Sequence, residues 1–181
     1  MLAVNTLDRE GELALQLTCD EELIYSVAFS FLDIDGKLAV AIGCVQGPQA
    51  ANGLTRISAA TKSLHGLRPK NLMVRLVRQI GFEFGCRNLI LVGNKNRTSH
   101  RSIKKGKVFC DYDELWRELG AYRRQDGDFQ LPCEDFPLPV MEEIPSHKRS
   151  EVRRRHALIS GVIHSIRHQL NCGGTGLNGL N

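Results

Sequence analysis

Lys62, His65, Arg68 and Lys70 fall within nine residues of one another, in the run TKSLHGLRPKN, where His65-Gly66 interrupts one helical pattern and Pro69 opens the next. Backbone N–H groups at a helix start have no partner inside the helix, and the positive end of the dipole adds to flanking cations. Such an entrance favours a phosphate or a carboxylate. His65 is the member of the set that titrates near neutral pH. Gln46, at the end of the strand pattern that precedes these helices, is placed to join them. The competing account has His65 closing the preceding helix and the cations facing water, and Pro69 removes one N–H from any cradle.

A second basic set follows. Lys95, Arg97, Arg101, Lys104, Lys105 and Lys107 lie on a polar stretch with the composition of a loop or arm, suited to a phosphate backbone or to acidic lipid headgroups. No aromatic residue interleaves with them before Phe109, which argues against a module that reads bases by stacking. Arg153-Arg154-Arg155 spreads around a helix and reads as a solvated face. Asp111, Asp113 and Glu114 could supply a general base, although acids in the first turn also complement the dipole of any helix. The six cysteines include no C-x-x-C pair, and there is no paired-His, Gly-x-Ser-x-Gly or Walker pattern, so no metal site is expected.

The elements that must position these residues are legible from periodicity. Leu13, Leu15 and Leu17 alternate with polar residues. Tyr25, Val27, Phe29 and Phe31 mark one face of a second strand that ends at Asp33-Ile34-Asp35-Gly36, a hairpin signal. A third strand, 37–46, carries Leu38, Val40, Ile42 and Cys44 on one face and Ala39, Ala41 and Gly43 on the other, so something is expected to pack closely over the small side. Leu54, Ile57, Thr61 and Leu64 predict a helix stripe. Leu72, Met73, Leu76, Val77, Ile80 and Phe84 predict the core face of a second helix, started by Pro69 and ended by Gly85. Residues 88–92 read as a buried strand and 112–119 as a helix ended by Gly120. The proline-rich region 127–145 is expected to hold no long regular element. Ser146 can cap a last helix with Val152, Ile159, Val162, Ile163, Ile166 and Leu170 on its apolar side.

Length and 42% apolar content suit one domain with its own core. The expected division is a core over 1–145, a C-terminal helix over 146–171 and a disordered Gly-rich tail over 172–181. Between Asp35 and Asp111, fourteen Lys and Arg face a single carboxylate, Glu83, whereas the rest of the chain has an acidic excess. A basic block of that kind meets a polyanion or is neutralised by its own flanks. No export signal and no apolar run of spanning length is read, so the expected location is cytoplasmic, with peripheral attachment to the inner face of the inner membrane as a variant.

The strings GCVQGP, TKSLHGLRPKNLM, LILVGNKN, DYDELWRELGAYRR, GDFQLP and IPSHKRSEVRRR, in this order from Gly11 to Arg155, resemble the bacterial VirK/YbjX family. The resemblance implies a role in virulence, in outer-envelope homeostasis and in resistance to cationic antimicrobial peptides, without an established reaction. It also implies a further region before this segment, so the chain resembles the carboxy-terminal part of the family pattern. Ala121 stands where the pattern commonly reads Gly-Gly.

The element order is similar to the core of the GNAT acyltransferases, where an acyl-CoA pyrophosphate sits on the start of the helix between the fourth and fifth strands. The Gln/Arg-x-x-Gly-x-Gly/Ala loop of that fold is absent here. The expected fold is therefore α+β, a mostly antiparallel sheet with a GNAT-like strand-helix-strand core and a C-terminal helix. The functional expectation is an acyl-CoA-dependent transferase binding its coenzyme through Gln46, Lys62, His65, Arg68 and Lys70. The alternatives are a non-catalytic protein that binds RNA or acidic lipid through its basic block, or a truncated, inactive remnant.

Overall fold

The computed structural model describes residues 10–48, 52–98, 110–137 and 139–173. Alternating apolar residues in the first part build an antiparallel meander of β1 (Leu13–Cys19), β2 (Glu22–Ile34) and β3 (Lys37–Gln46). Asp35 and Gly36 both have positive φ, 53° and 73°, in the turn between β2 and β3. Their backbone twist matches that of the flanking strands, and Asp33 Oδ1 accepts the Gly36 N–H at 2.8 Å. Then come α1 (Gly53–Ser63), α2 (Pro69–Glu83) and β4 (Asn88–Leu91), followed by α3 (Tyr112–Glu118), β5 (Tyr122–Arg123), β6 (Phe129–Pro132) and α4 (Ser146–Gly173).

The six strands form one sheet in the order β1-β2-β3-β4-β6-β5. Every neighbouring pair is antiparallel except β3 and β4, which α1 and α2 connect as a crossover. The α+β class, the mostly antiparallel sheet and the C-terminal helix are thus as the sequence predicts. β6 was not foreseen: only four residues pair with β4, and Pro132 stands at the strand's end.

One sheet face carries the core. Val27, Phe29, Val40, Ile42, Val45, Leu89, Leu91, Phe129 and Leu131 pack under Met73, Val74 and Val77 of α2 and under Tyr112, Leu115 and Trp116 of α3. A second cluster joins Leu67, Leu72 and Leu76 to Ile159 and Ile163 of α4. α4 runs beside α2 in the same direction. Arg155 reaches the His65 carbonyl before α2 begins, and Arg167 reaches Glu83 where α2 ends. There the buried Gln79 donates to Glu83 and Asp135, the same carboxylates that Arg167 holds at 2.8 Å.

Three core expectations need correction. Leu54 is 85% exposed because α1 turns Ala60 inward instead, and Phe84 is 48% exposed at the end of α2, where its ring lies against Phe31. Val45 joins Val40 and Ile42 in the core cluster in place of Cys44. Ala28 pairs with Cys44 and Phe29 with Ile42, so Gly43 is an extra residue in β3. A bulge of one residue exchanges the two faces beyond it. The glycine also explains the small side of β3. A Cβ at Gly43 would collide with the Glu10 carbonyl, whose chain crosses directly over this strand.

Candidate functional site

β3 and β4 pair only from Ala39 with Asn88 to Ile42 with Leu91, closed by a bond from the Val92 N–H to the Ile42 carbonyl. β3 continues past the bulge, and a side chain meets it there. The Val45 N–H donates to Tyr112 Oη at 2.6 Å, and the Tyr112 hydroxyl donates to the Val45 carbonyl at 2.9 Å. One phenol thereby serves both backbone groups of a strand residue. The Tyr112 ring is fully buried, edge-on to Trp116, and the Arg97 guanidinium lies 3.6 Å from its centroid. Burial, reinforced by the neighbouring Cys44 thiol, drives the Tyr112 pKa far above the ordinary phenol value, so the hydroxyl keeps its proton. Burial likewise pushes Cys44 up to about 11 and Cys133 up to about 12, which leaves both thiols protonated and inert at neutral pH.

Tyr112 is held by a polar knot at the end of β4. Its N–H donates to Asn94 Oδ1 at 3.0 Å, and Asn94 Nδ2 donates to Asp111 Oδ1 at 2.7 Å. The Asn94 N–H donates to Asp113 and the Gly93 N–H to Asp128, both at 2.8 Å, and Asn96 binds Asp128 as well. Asp111 caps α3 by accepting the Glu114 N–H. That bond, then the Asn94 amide, holds its carboxyl below the usual range. Asp113 also faces Arg117 and Arg123 at 3.9 and 3.8 Å. Asp111 and Asp113 are therefore engaged in holding the loop and the helix start.

Of the residues singled out from sequence, Arg68 and Lys70 converge. Both reach Glu118 at the end of α3, at 3.6 and 3.8 Å, with the Arg68 side chain 63% exposed. His65 adopts a left-handed conformation, φ 52°, and its carbonyl accepts two bonds from Arg155. Lys62 is exposed in the last turn of α1, and Gln46 is half-buried at the end of β3. No contact joins Lys62 or Gln46 to Arg68 and Lys70 among the described residues. Lys95 is exposed, whereas Arg97 stacks on Tyr112 and donates to the Cys110 carbonyl at 2.9 Å. Arg101, Lys104, Lys105 and Lys107 lie outside the described residues.

Sequence reasoning passed over a cleft of ≈ 230 Å³ between α2, the end of α3 and residues 134–137. Asn71, Arg75 and Arg78 line it at i, i+4 and i+7 of α2, a polar stripe beside the apolar one and readable as such from the spacing. Asn71 Oδ1 is shut off from solvent and meets no hydrogen-bond donor among the described residues.

The family model described as protein of unknown function DUF535 matches residues 1–168. The chain belongs to this family. Among DUF535-related proteins, an uncharacterised protein of Haemophilus influenzae is 31% identical over 161 residues, covering 87% of this chain and 53% of its own. The uncharacterised protein YbjX of Escherichia coli K12 is 27% identical over 162 residues, 87% of this chain and 48% of YbjX. A protein named membrane protein LapB, from Mannheimia haemolytica, is 31% identical over 97 residues, 52% of this chain and 41% of that one. The chain thus spans about half the length of the first two, and the VirK/YbjX resemblance read from its strings is borne out. Parts of three strings on which the resemblance was read, GNKN, DYDEL and GDF, meet in the knot around Asn94. Among the described residues no helix is long and apolar enough to cross a membrane.

Proposed function

We propose that this DUF535 chain is the core of an acyl-group transferase of GNAT-like architecture, serving the bacterial envelope and through it virulence and resistance to cationic antimicrobial peptides. The observation that carries the reading is the open edge of β3. Beyond Ile42 a backbone N–H and a permanently protonated phenol meet at one point, beside a parallel strand that has ended. α2, the second of the two helices between β3 and β4, begins with Arg68 and Lys70, where the resemblance implies a pyrophosphate.

The donor set fits an acyl-CoA. The coenzyme supplies an activated thioester when bound. The Val45 N–H is suited to a carbonyl oxygen in the position it now gives to Tyr112 Oη, and the Tyr112 hydroxyl, its pKa raised by burial, is suited to donate a hydrogen bond to a departing sulfur while keeping its proton. Arg68, Lys70 and the free N–H groups of the first turn suit phosphates, with Glu118 as the anion they face now. Tyr112 fills the opening, so its hydroxyl has to leave Val45 for any ligand to bond there.

A second reading is favoured by the concentration of cations over residues 36–110. In it the chain is a non-catalytic binder of acidic lipid or RNA, attached peripherally to the inner leaflet through Lys95 and the 101–107 cations. Calorimetric titration of acetyl-CoA at two salt concentrations separates the readings. Saturable, mildly salt-sensitive binding, weakened at least tenfold by Arg68→Ala with Lys70→Ala and altered by Tyr112→Phe, supports the transferase. No saturable binding removes it, and RNA or anionic-vesicle binding that falls steeply with salt supports the binder.

A further inference from the structure

The charged side chains around the cleft on α2 are paired with one exception. Arg78 donates to the Pro132 carbonyl at 2.6 Å and to Glu134 at 3.0 Å, Glu118 faces Arg68 and Lys70, and Arg155 holds Glu151 and the His65 carbonyl. Arg75 donates no hydrogen bond and meets no carboxylate among the described residues. It lies 6.0 Å from the centroid of the Phe136 ring. Its outer side reaches water, yet its surroundings oppose its charge. Partial burial, then Arg155, then Arg78 all draw its pKa below the usual guanidinium value. Glu134, Glu151 and Glu118 are taken by Arg78, Arg155 and the Arg68–Lys70 pair, so the Arg75 charge alone is left without a counterion among the described residues.

Two hollows meet at Arg75. The ≈ 230 Å³ cleft extends one way over Val74, Leu119 and Leu131, and a second hollow of ≈ 220 Å³ extends the other way against Val152 and Ile159 of α4. Each holds the volume of about seven waters in the liquid. In the first lies Asn71, whose buried oxygen lacks a donor. A guanidinium fork without an anion, an acceptor without a donor and an apolar wall define complementary chemistry.

We propose that this cleft binds a small amphipathic anion, a carboxylate or phosphate held by Arg75, that also carries an apolar group for the Leu119–Leu131 wall and an N–H or O–H for Asn71 Oδ1. A turn of the Asn71 side chain brings that oxygen out of its burial as the ligand seats. The site is formed by the outward face of α2, apart from the opening at Val45, and the proposal does not rest on the transferase reading.

The test is calorimetric titration of the full chain with three probes: N-acetyl-leucine, 4-methylpentanoate, which keeps the carboxylate and loses the N–H, and glycerol phosphate. N-acetyl-leucine is expected to bind saturably and at least tenfold more tightly than 4-methylpentanoate. Arg75→Met, which keeps much of the stem's volume, is expected to abolish binding of all three, and Arg75→Lys to weaken it five- to tenfold, with circular dichroism unchanged. Asn71→Leu is expected to erase the tenfold preference while 4-methylpentanoate still binds. Whether glycerol phosphate or N-acetyl-leucine binds more tightly assigns the anion. No saturable binding of any probe at millimolar concentration, or binding indifferent to both Arg75 variants, overturns the site. A preference for N-acetyl-leucine that survives Asn71→Leu overturns the assignment of the donor.

Discussion

The surroundings of Tyr112 and those of Arg75 differ in one respect: whether polar groups have found partners. At Tyr112 a hydroxyl, two backbone groups of Val45, an asparagine and two aspartates are closed into one bonded set. At Arg75 a cation and the nearby Asn71 oxygen are left over. Low-dielectric surroundings make satisfied polar networks strong determinants of structure and make unsatisfied groups costly. The first region therefore holds the fold together and has to give up a bond before it can meet a ligand. The second has a cation and an acceptor with no bond to give up among the described residues.

That contrast can be broken experimentally. The largest effect is expected at Trp116, fully buried and donating from Nε1 to the Val92 carbonyl at 2.8 Å. Trp116→Ala should cost about 3–5 kcal/mol in urea unfolding, the range for emptying a large aromatic site. A loss below about 1 kcal/mol would mean that the Tyr112 side is not the structural one.

Asp111→Ala should cost about 1 kcal/mol at pH 7, the usual worth of a helix cap. The sign with pH follows from its lowered pKa. The ionised carboxylate stabilises the fold above the unfolded value of about 3.9, and that contribution is lost as the pH falls through the lower folded value. Unfolding midpoints of the variant and the parent should therefore converge only as the pH falls below the unfolded value and through the lower folded one. Midpoints that stay equally far apart would show that the carboxylate's charge is not what caps α3.

The smallest effect sharpens the comparison most. Arg75→Met should leave stability within about 0.5 kcal/mol, as for surface changes without a structural partner. Any change should be a gain at low salt that disappears near 1 M, where charges are screened within about 3 Å. A loss above about 1 kcal/mol would show that Arg75 holds the fold rather than a ligand.

Much of this was written in local pattern. The Asp35-Gly36 turn, the Pro69 start of α2 and the apolar faces of β2 and α2 follow from the geometry of a residue and its near neighbours. The Asn71, Arg75 and Arg78 stripe was equally visible by spacing, but a polar stripe has meaning only once something is known to face it. Arg97 shows the reverse case. Its composition reads as an arm reaching for a polyanion, and its place is on the Tyr112 ring, because an aromatic face fifteen residues away offered a flat partner for a guanidinium. Leu54 failed as a core residue because α1 buries only Gly53 and Ala60, and Leu54 lies about 120° around the helix from Ala60.

By itself the sequence determined the α+β class, the family, the basic block and the cationic entrance to α2, since periodicity, turn residues and charge counts are local properties. Tertiary structure alone decided that Gly43 would bulge and hand the core from Cys44 to Val45, that Tyr112 would complete the edge of β3, and that Glu118 would meet Arg68 and Lys70 while Arg75 met no carboxylate. Those outcomes join residues up to 67 positions apart. They depend on where the backbone of one element runs past another, which no local pattern encodes.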